Sequence, residues 1–218
     1  MPEAKSRSVA DVPVHAGTLL AVVGPSGAGK DSLIAYARQR LVSNSSVLFV
    51  RRVITRPAFA STEEHDTCSP EAFAAARAAG AFAVDWEAHG LRYGVPRKTH
   101  AHLDRGGVAV LNGSRAALPN IRSAFGTLTT VLVTCDPDIL AARLAARRRE
   151  SKAEIERRLR RAMIEAPDIE DAIEIDNSCE LALAGDILVS VIRKIARSTE
   201  GCGGPVPASA ELAMETDK

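Results

Sequence analysis

The sequence predicts an α/β fold in which a parallel β-sheet is covered by helices on both faces. Short apolar runs alternate along the chain with longer stretches of helical periodicity. This alternation is typical of parallel strands that are joined through crossover helices. A glycine-rich stretch also connects the first apolar run to the first helix, as in the loops that bind nucleotide phosphates. The chain of 218 residues is long enough to bury one such core.

The first strand, at residues 18–23, leads into the glycine-rich loop, and a helix begins at about residue 32. The loop comprises Gly24, Pro25, Ser26, Gly27, Ala28, Gly29, Lys30, Asp31 and Ser32. Glycines let successive backbone N–H groups approach a phosphate chain, and the helix N-terminus adds partial positive charge. We therefore expect ATP binding, with Lys30 on the outer phosphates. A glycine-rich turn with a solvated lysine is the alternative, which the flanking strand and helix disfavour.

The position after Lys30 departs from the usual pattern, because Asp31 stands where such loops carry a Ser or Thr hydroxyl for Mg²⁺. The nearest hydroxyl comes one place later, at Ser32. The strand at 108–111 ends at Asn112, where an acidic residue is the usual metal partner. We expect Mg²⁺ to be held by Ser32 and by Asp31, the latter through water.

The other elements follow in chain order. Ser69, Pro70 and Glu71 predict a helix start, with an N-cap, a proline in the first turn and an early acid. Further strands are expected at 46–50, 81–86, 108–111, 128–134 and 173–175, with a turn or short strand at 90–94. Helices are expected at 70–79, 99–104, after Arg115, after Pro137, around 155–163 and up to about Arg197.

Composition limits the possible roles of the chain. A formal net charge of +1 argues against a general nucleic-acid or membrane-surface binder. No apolar run reaches the roughly 18 residues of a membrane span. Four scattered cysteines without a C-x-x-C pair, and no signal peptide ahead of them, favour a cytoplasmic location. We expect a flexible N-terminal arm at 1–16, one domain at 17–197 and a disordered tail at 198–218; the oligomeric state is not predicted.

Three landmarks beyond the loop resemble the guanylate-kinase group of P-loop phosphotransferases over about residues 17–197. They are the pair Thr55 and Arg56, the run from Gly80 through Trp86 to Tyr93, and the segment 147–159. The resemblance implies a three-layer parallel sheet with an acceptor-binding part at about 51–97 and a lid at about 145–160. It also implies that Arg56 and Tyr93 bind acceptor phosphate, and that Arg147, Arg149 and Arg158 close over the transferred group as catalytic residues beside Lys30.

The sequence differs from a guanylate kinase where that group reads the guanine ring. Phe59 stands where a second arginine is expected, and Asn112 and Ser114 stand where the group has two carboxylates. Arg52 replaces an expected serine. Groups that read a base are lost and a cation is gained, as a substrate with no base and an additional phosphate would require.

A narrower resemblance, to the ribose 1,5-bisphosphate phosphokinases of bacterial phosphonate breakdown, rests on segments 24–32, 51–57, 64–66, 86–91 and 111–115. It implies ATP-dependent phosphorylation of ribose 1,5-bisphosphate to 5-phospho-α-D-ribose 1-diphosphate and ADP, with a small sugar phosphate as partner. The expected acceptor-binding residues are Arg51, Arg52, Arg56, Asp66, Tyr93, Ser114 and Arg115. The alternatives are a guanylate or other nucleoside monophosphate kinase, and a catalytically silent interaction module of the same shape.

Overall fold

The computed structural model describes residues 14–56, 65–88, 90–146, 169 and 171–200. The strands are β1 (Thr18–Val23), β2 (Val47–Phe49), β3 (Val53–Ile54), β4 (Asp66–Thr67), β5 (Phe82–Ala88), β6 (Leu91–Pro96), β7 (Val108–Asn112), β8 (Leu128–Thr134) and β9 (Ile173–Asp176). The helices are α1 (Lys30–Arg40), α2 (Pro70–Ala78), α3 (Thr99–Asp104), α4 (Leu118–Phe125), α5 (Pro137–Ala146) and α6 (Leu181–Glu200), with a 3₁₀ turn at Arg115–Ala117.

The central sheet has five strands in the order β2-β7-β1-β8-β9. Every neighbouring pair in it is parallel, which confirms the predicted parallel α/β sheet. The carboxyl ends of all five strands therefore lie along one edge, where open α/β sheets bind their ligands. Because β1 is central, the loop that follows it lies in the middle of that edge.

Both faces of the central sheet are buried, so the fold has three layers. Leu20 and Val22 of β1 belong to a core cluster with α1 and α6. Leu19 points to the opposite face and packs in a cluster with Leu103 of α3 and Phe125 of α4. Side chains alternate between the faces of a strand, and apolar residues at successive positions thus fill both layers.

A second, four-stranded sheet is formed by the segment between β2 and α3, in the order β4-β3-β6-β5. Its β3–β6 and β5–β6 pairs are antiparallel, and β3–β4 is parallel. The run predicted to be a turn or short strand at 90–94 is β6. The two-residue strands β3 and β4 are too short to produce a periodicity that sequence patterns can detect.

Helix α2 begins as the sequence predicts. The Ser69 side chain accepts a hydrogen bond of 3.2 Å from the backbone N–H of Ala72, and Pro70 is the first helical residue. The helix ends before Gly80, which adopts a positive φ of 69°. This helix packs on β5 through the stacked rings of Phe73 and Phe82, whose centroids are 4.7 Å apart.

Described structure continues past the predicted domain bounds at both ends of the chain. His15, within the segment predicted to be an arm, lies 2.6 Å from Asp104 and 2.9 Å from the ring of His100. Burial and the neighbouring His15 lower the pKa of His100. Helix α6 continues to Glu200, three residues past the predicted Arg197. Among the described residues, no helix is both long and apolar enough to cross a membrane.

Candidate active site

The loop after β1 has the backbone conformation that its glycines allow. Gly24, Gly27 and Gly29 have φ values of 148°, 96° and 91°, which are rarely accessible to residues with a Cβ. A Cβ on Gly24 would also lie 2.3 Å from the carbonyl oxygen of Val133 in β8. The loop is therefore packed directly against the neighbouring strand and has no room for side chains at these positions.

Gly29→Ala is expected to weaken ADP binding by roughly tenfold or more, or about 1.4 kcal/mol. The added Cβ would be placed 2.3 Å from Nδ2 of Asn177, at a positive φ that itself disfavours alanine. Titration calorimetry with ADP measures the effect. The matched control is Gly106→Ala, at φ 81° and with no atom nearer than 4.0 Å to its Cβ. If both variants bind ADP as the wild type does, the close packing of Gly29 against Asn177 does not govern nucleotide binding.

Lys30 lies across the beginning of the loop. Its Nζ donates hydrogen bonds to the carbonyl oxygens of Gly24, at 2.9 Å, and Pro25, at 2.8 Å. Lys30 is also the first residue of α1, whose N-terminus carries partial positive charge. The ammonium group and the helix N-terminus thus place positive charge at the same loop, as a phosphate chain requires.

Asp31 and Asn112 meet between α1 and β7. The Asn112 Nδ2 donates a hydrogen bond to the Asp31 carboxylate, so the carboxylate comes from the helix and the strand end supplies an amide. Ser32, by contrast, lies on an exposed part of α1. In the described part of the chain, no three His, Cys, Asp or Glu side chains are grouped to hold a metal ion. Asp31 is thus a carboxylate in direct contact with the end of β7, where a cation bound with phosphate could use it.

A buried arginine stands on the side of the second sheet. Arg52, two residues after the predicted strand 46–50, is 9% exposed, and its guanidinium carbon lies 5.4 Å from the centre of the Tyr93 ring. The Tyr93 ring in turn stacks on Trp86 at 5.5 Å. The Tyr93 ring, stacked on Trp86, therefore packs against the Arg52 guanidinium and stabilises its position by a cation–π contact.

Arg51, next to Arg52, points elsewhere. It pairs with Asp66 at 2.8 Å, and both side chains are more than half exposed. Such a pair contributes at most about 1 kcal/mol. The pairing also occupies Asp66, which the sequence analysis assigned to the acceptor.

The remaining predicted residues divide into two groups. Arg56 follows β3, and Ser114 and Arg115 follow β7; all three are partly buried. Thr55 ties this region to β6, because its hydroxyl accepts a hydrogen bond of 2.9 Å from the Arg92 N–H. The lid residues Arg147, Arg149 and Arg158, and Phe59, lie outside the described residues, and their roles stay predictions.

Two residues beside the loop were missed by the sequence analysis. Asn177 follows β9, is 2% exposed and donates a hydrogen bond of 2.7 Å to the Ala28 carbonyl. Arg143 of α5 approaches the same place, with its Nη1 3.4 Å from the Cys135 sulfur and 3.8 Å from where a Cβ on Gly29 would lie. A polar residue after the last parallel strand was the available signal for Asn177, because that strand ends at the same sheet edge.

The central sheet with its glycine loop defines a protein of the P-loop nucleotide-binding class. Residues 20–164 match a family model described as an AAA domain. Curated relatives include ribose 1,5-bisphosphate phosphokinase PhnN of Agrobacterium fabrum, 43% identical over 84% of this chain and 100% of the relative. The enzyme of the same name from Chromobacterium violaceum is 47% identical over 81% of this chain and 94% of the relative. The chain belongs to the family of ribose 1,5-bisphosphate phosphokinases.

The fold is also similar to a solved guanylate kinase from Anaplasma phagocytophilum, with a TM-score of 0.59 and 19% identity. The likeness covers 83% of this chain and 86% of that structure. At this identity the likeness concerns the fold, and it confirms the predicted guanylate-kinase-like architecture.

Proposed function

We propose that the protein transfers the γ-phosphoryl group of ATP to the 1-phosphate of ribose 1,5-bisphosphate, giving 5-phospho-α-D-ribose 1-diphosphate and ADP. The observation that carries the proposal is the 43% identity over the whole length of a ribose 1,5-bisphosphate phosphokinase. We extend the proposal to a place in phosphonate breakdown and to the cytoplasm, where ATP is available.

The proposed acceptor explains why the site needs positive charge and no general base. A phosphate monoester has a second pKa of about 6, so it is mostly dianionic at neutral pH. Its oxygen attacks the γ-phosphorus, the bond from that phosphorus to the ADP oxygen breaks, and no proton has to be removed from the nucleophile. The main obstacle is repulsion between two anions, which fixed cations and N–H dipoles offset.

These cations lie at two strand ends along one edge of the central sheet. The loop and Lys30 at the end of β1 bind the donor phosphates. The chain leaving β2, two strands away in the sheet order, carries Arg52. Because neighbouring strands are about 4.8 Å apart, these two strand ends are separated by roughly 10 Å. That distance suits a donor phosphate chain and an acceptor phosphate brought into line between them.

The residues around the end of β7 favour a sugar phosphate over a nucleotide as acceptor. Asn112 and Ser114 lie where a guanylate kinase would offer carboxylates to the base, and the Asn112 amide is already bonded to Asp31. Arg52 adds a cation buried against Tyr93. We assign Arg52, Arg56 and Tyr93 to the acceptor phosphates. Supporting contacts come from Arg51, Asp66, Ser114 and Arg115, and Arg147, Arg149 and Arg158 close over the transferred group.

Magnesium fits the arrangement at Asp31, since carboxylates and phosphate oxygens are its preferred ligands. When bound, the ion neutralises charge on the donor phosphates. Asp31, oriented by the hydrogen bond from Asn112, would hold the ion through water, and the Ser32 hydroxyl would be a further ligand.

Asp31→Asn is expected to raise the Mg²⁺ concentration for half-maximal turnover by roughly tenfold, since one charged ligand contact is worth about 1.5–3 kcal/mol. The double variant Asp31→Asn with Asn112→Asp returns a carboxylate to the same hydrogen-bonded pair and should recover part of the loss. The Mg²⁺ dependence of ADP binding, measured by calorimetry, gives a second readout. Unchanged Mg²⁺ dependence in Asp31→Asn would remove the carboxylate from the metal site.

The proposed function is tested by ADP release with ribose 1,5-bisphosphate, with GMP or with no acceptor. Phosphorus NMR of the product identifies the new diphosphate. We expect ADP release only with ribose 1,5-bisphosphate. Turnover of GMP alone would make the chain a nucleoside monophosphate kinase, and turnover of neither acceptor would support the silent interaction module.

A further inference from the structure

We infer that Asn177 is a positioning residue for nucleotide binding, which fixes the peptide between Ala28 and Gly29 so that the Gly29 N–H faces the phosphates. The inference rests on the proposal that the loop binds ATP. It concerns the donor side of the site and does not depend on which acceptor is used.

The position of Asn177 is set by the sheet. Its backbone N–H donates a 3.0 Å hydrogen bond to the carbonyl of Thr134 at the end of β8. Its side chain is then directed at the loop, where Nδ2 donates to the Ala28 carbonyl at 2.7 Å. The residue is 2% exposed, so water does not compete with this bond. This hydrogen bond thereby connects β9, the last strand along the chain, to the glycine loop that follows β1.

The hydrogen bond sets the direction of a donor on the other side of the peptide. A trans peptide is planar, so its C=O and N–H point in opposite directions. With the Ala28 carbonyl directed at Asn177, the Gly29 N–H points away from β9, into the loop. Gly29 has a φ of 91°, and glycine permits the alternative conformations of a flipped peptide. A flipped peptide would direct a carbonyl oxygen at the phosphates instead of an N–H.

The chemistry of the side chain argues against a role in packing alone. The Asn177 Oδ1 is buried and makes no hydrogen bond to any described residue. A buried acceptor without a donor costs about 1–3 kcal/mol, and an apolar side chain of similar size would avoid that cost. The amide cannot be reversed to relieve it, because Oδ1 would then face the Ala28 oxygen. The Nδ2 group, which donates to the Ala28 carbonyl, is therefore the part of the Asn177 side chain that accounts for its presence.

The test compares ADP affinity of the full-length wild type with Asn177→Asp, which has the same size but, when ionised, has no donor for the Ala28 carbonyl. At about pH 8 we expect at least roughly tenfold weaker binding, because the carboxylate repels that carbonyl. Burial raises the pKa of the introduced carboxyl, and Arg143, whose Nη1 lies 3.8 Å from where a Cβ on Gly29 would be, lowers it. The pH is therefore lowered until the variant is protonated and can donate, that is, until the affinity ratio levels off. The ratio of wild-type to variant affinity should then approach one.

The control is Asn120→Asp, an exposed asparagine of α4, for which we expect wild-type affinity at every pH. Asn177→Ala gives a second readout by NMR, in which the Gly29 amide resonance should no longer move on addition of ADP. Wild-type-like binding by Asn177→Asp at pH 8 would overturn the inference, as would weakened binding that does not vary with pH. If the wild type itself binds no ADP, both the inference and the proposed function fail. If the wild type binds ADP but the Asn177 variants bind it equally well, only the inference fails.

Discussion

Replacing Lys30 by methionine is expected to lower kcat by roughly 10²–10³-fold, the usual cost of removing one group that stabilises charge in a transition state. Lys30 Nζ lies 2.9 Å and 2.8 Å from the carbonyls of Gly24 and Pro25, so it is already held at the loop that we propose binds the donor phosphates. Methionine keeps the length of the side chain and removes its charge. Steady-state ADP release with saturating ATP and ribose 1,5-bisphosphate measures the loss.

Lys194→Met is the matched control, because Lys194 is exposed on α6 and remote in sequence from the loop. Its kcat should equal that of the wild type. The unfolding temperatures of both variants, measured beside kcat, show whether a loss of activity in Lys30→Met comes with a loss of stability. A fall in kcat of less than about tenfold in Lys30→Met, or 1.4 kcal/mol, would show that the loop does not bind the transferred phosphoryl group.

Arg52→Met is expected to raise KM for ribose 1,5-bisphosphate by roughly 10–100-fold and to leave KM for ATP nearly unchanged, because a hydrogen bond to a charged group contributes about 1.5–3 kcal/mol. The guanidinium is buried against Tyr93, where a cation is screened less than at the surface. Methionine retains packing on the ring while removing the charge. Initial rates over a matrix of both substrate concentrations separate the two KM values.

Arg105→Met controls for the general loss of an arginine. Arg105 is exposed and precedes β7, so it lies at the amino-terminal edge of the sheet, opposite the loop. The Arg105→Met variant should therefore have the wild-type KM values for both ATP and ribose 1,5-bisphosphate. If Arg52→Met raises KM for ATP as much as KM for the sugar phosphate, the assignment of Arg52 to the acceptor is wrong.

The sequence predicted the parts of the fold that are locally encoded. The apolar run of β1, the glycines after it and the start of α1 are contiguous, so their types and spacing identified the loop directly. Ser69 and Pro70 predicted the start of α2 because a cap involves residues only three apart. The central sheet followed from alternation of strands and helices along the chain.

Features that depend on distant residues could not be predicted in this way. The second sheet, which has both parallel and antiparallel pairs, includes two strands of two residues whose partners are set by tertiary contacts. Asn177 and Ala28 are 149 residues apart, and neither position departs from an ordinary sequence pattern. Asp31 was expected to hold Mg²⁺ where Asn112 replaces the usual carboxylate, but a contact between Asp31 and Asn112 was not predicted. The structure brings the two side chains into a hydrogen bond.

The link between the loop and the last strand also bears on how the protein matures. Ala28 leaves the ribosome early, whereas Asn177 and β9 are made near the end of the domain. Long-range contacts form late because closing a long chain segment costs entropy. A nascent chain that ends before β9 would carry the complete glycine loop without its hydrogen-bonded support. Full affinity for nucleotide would then be reached only when β9 docks, so tight nucleotide binding would mark completed folding.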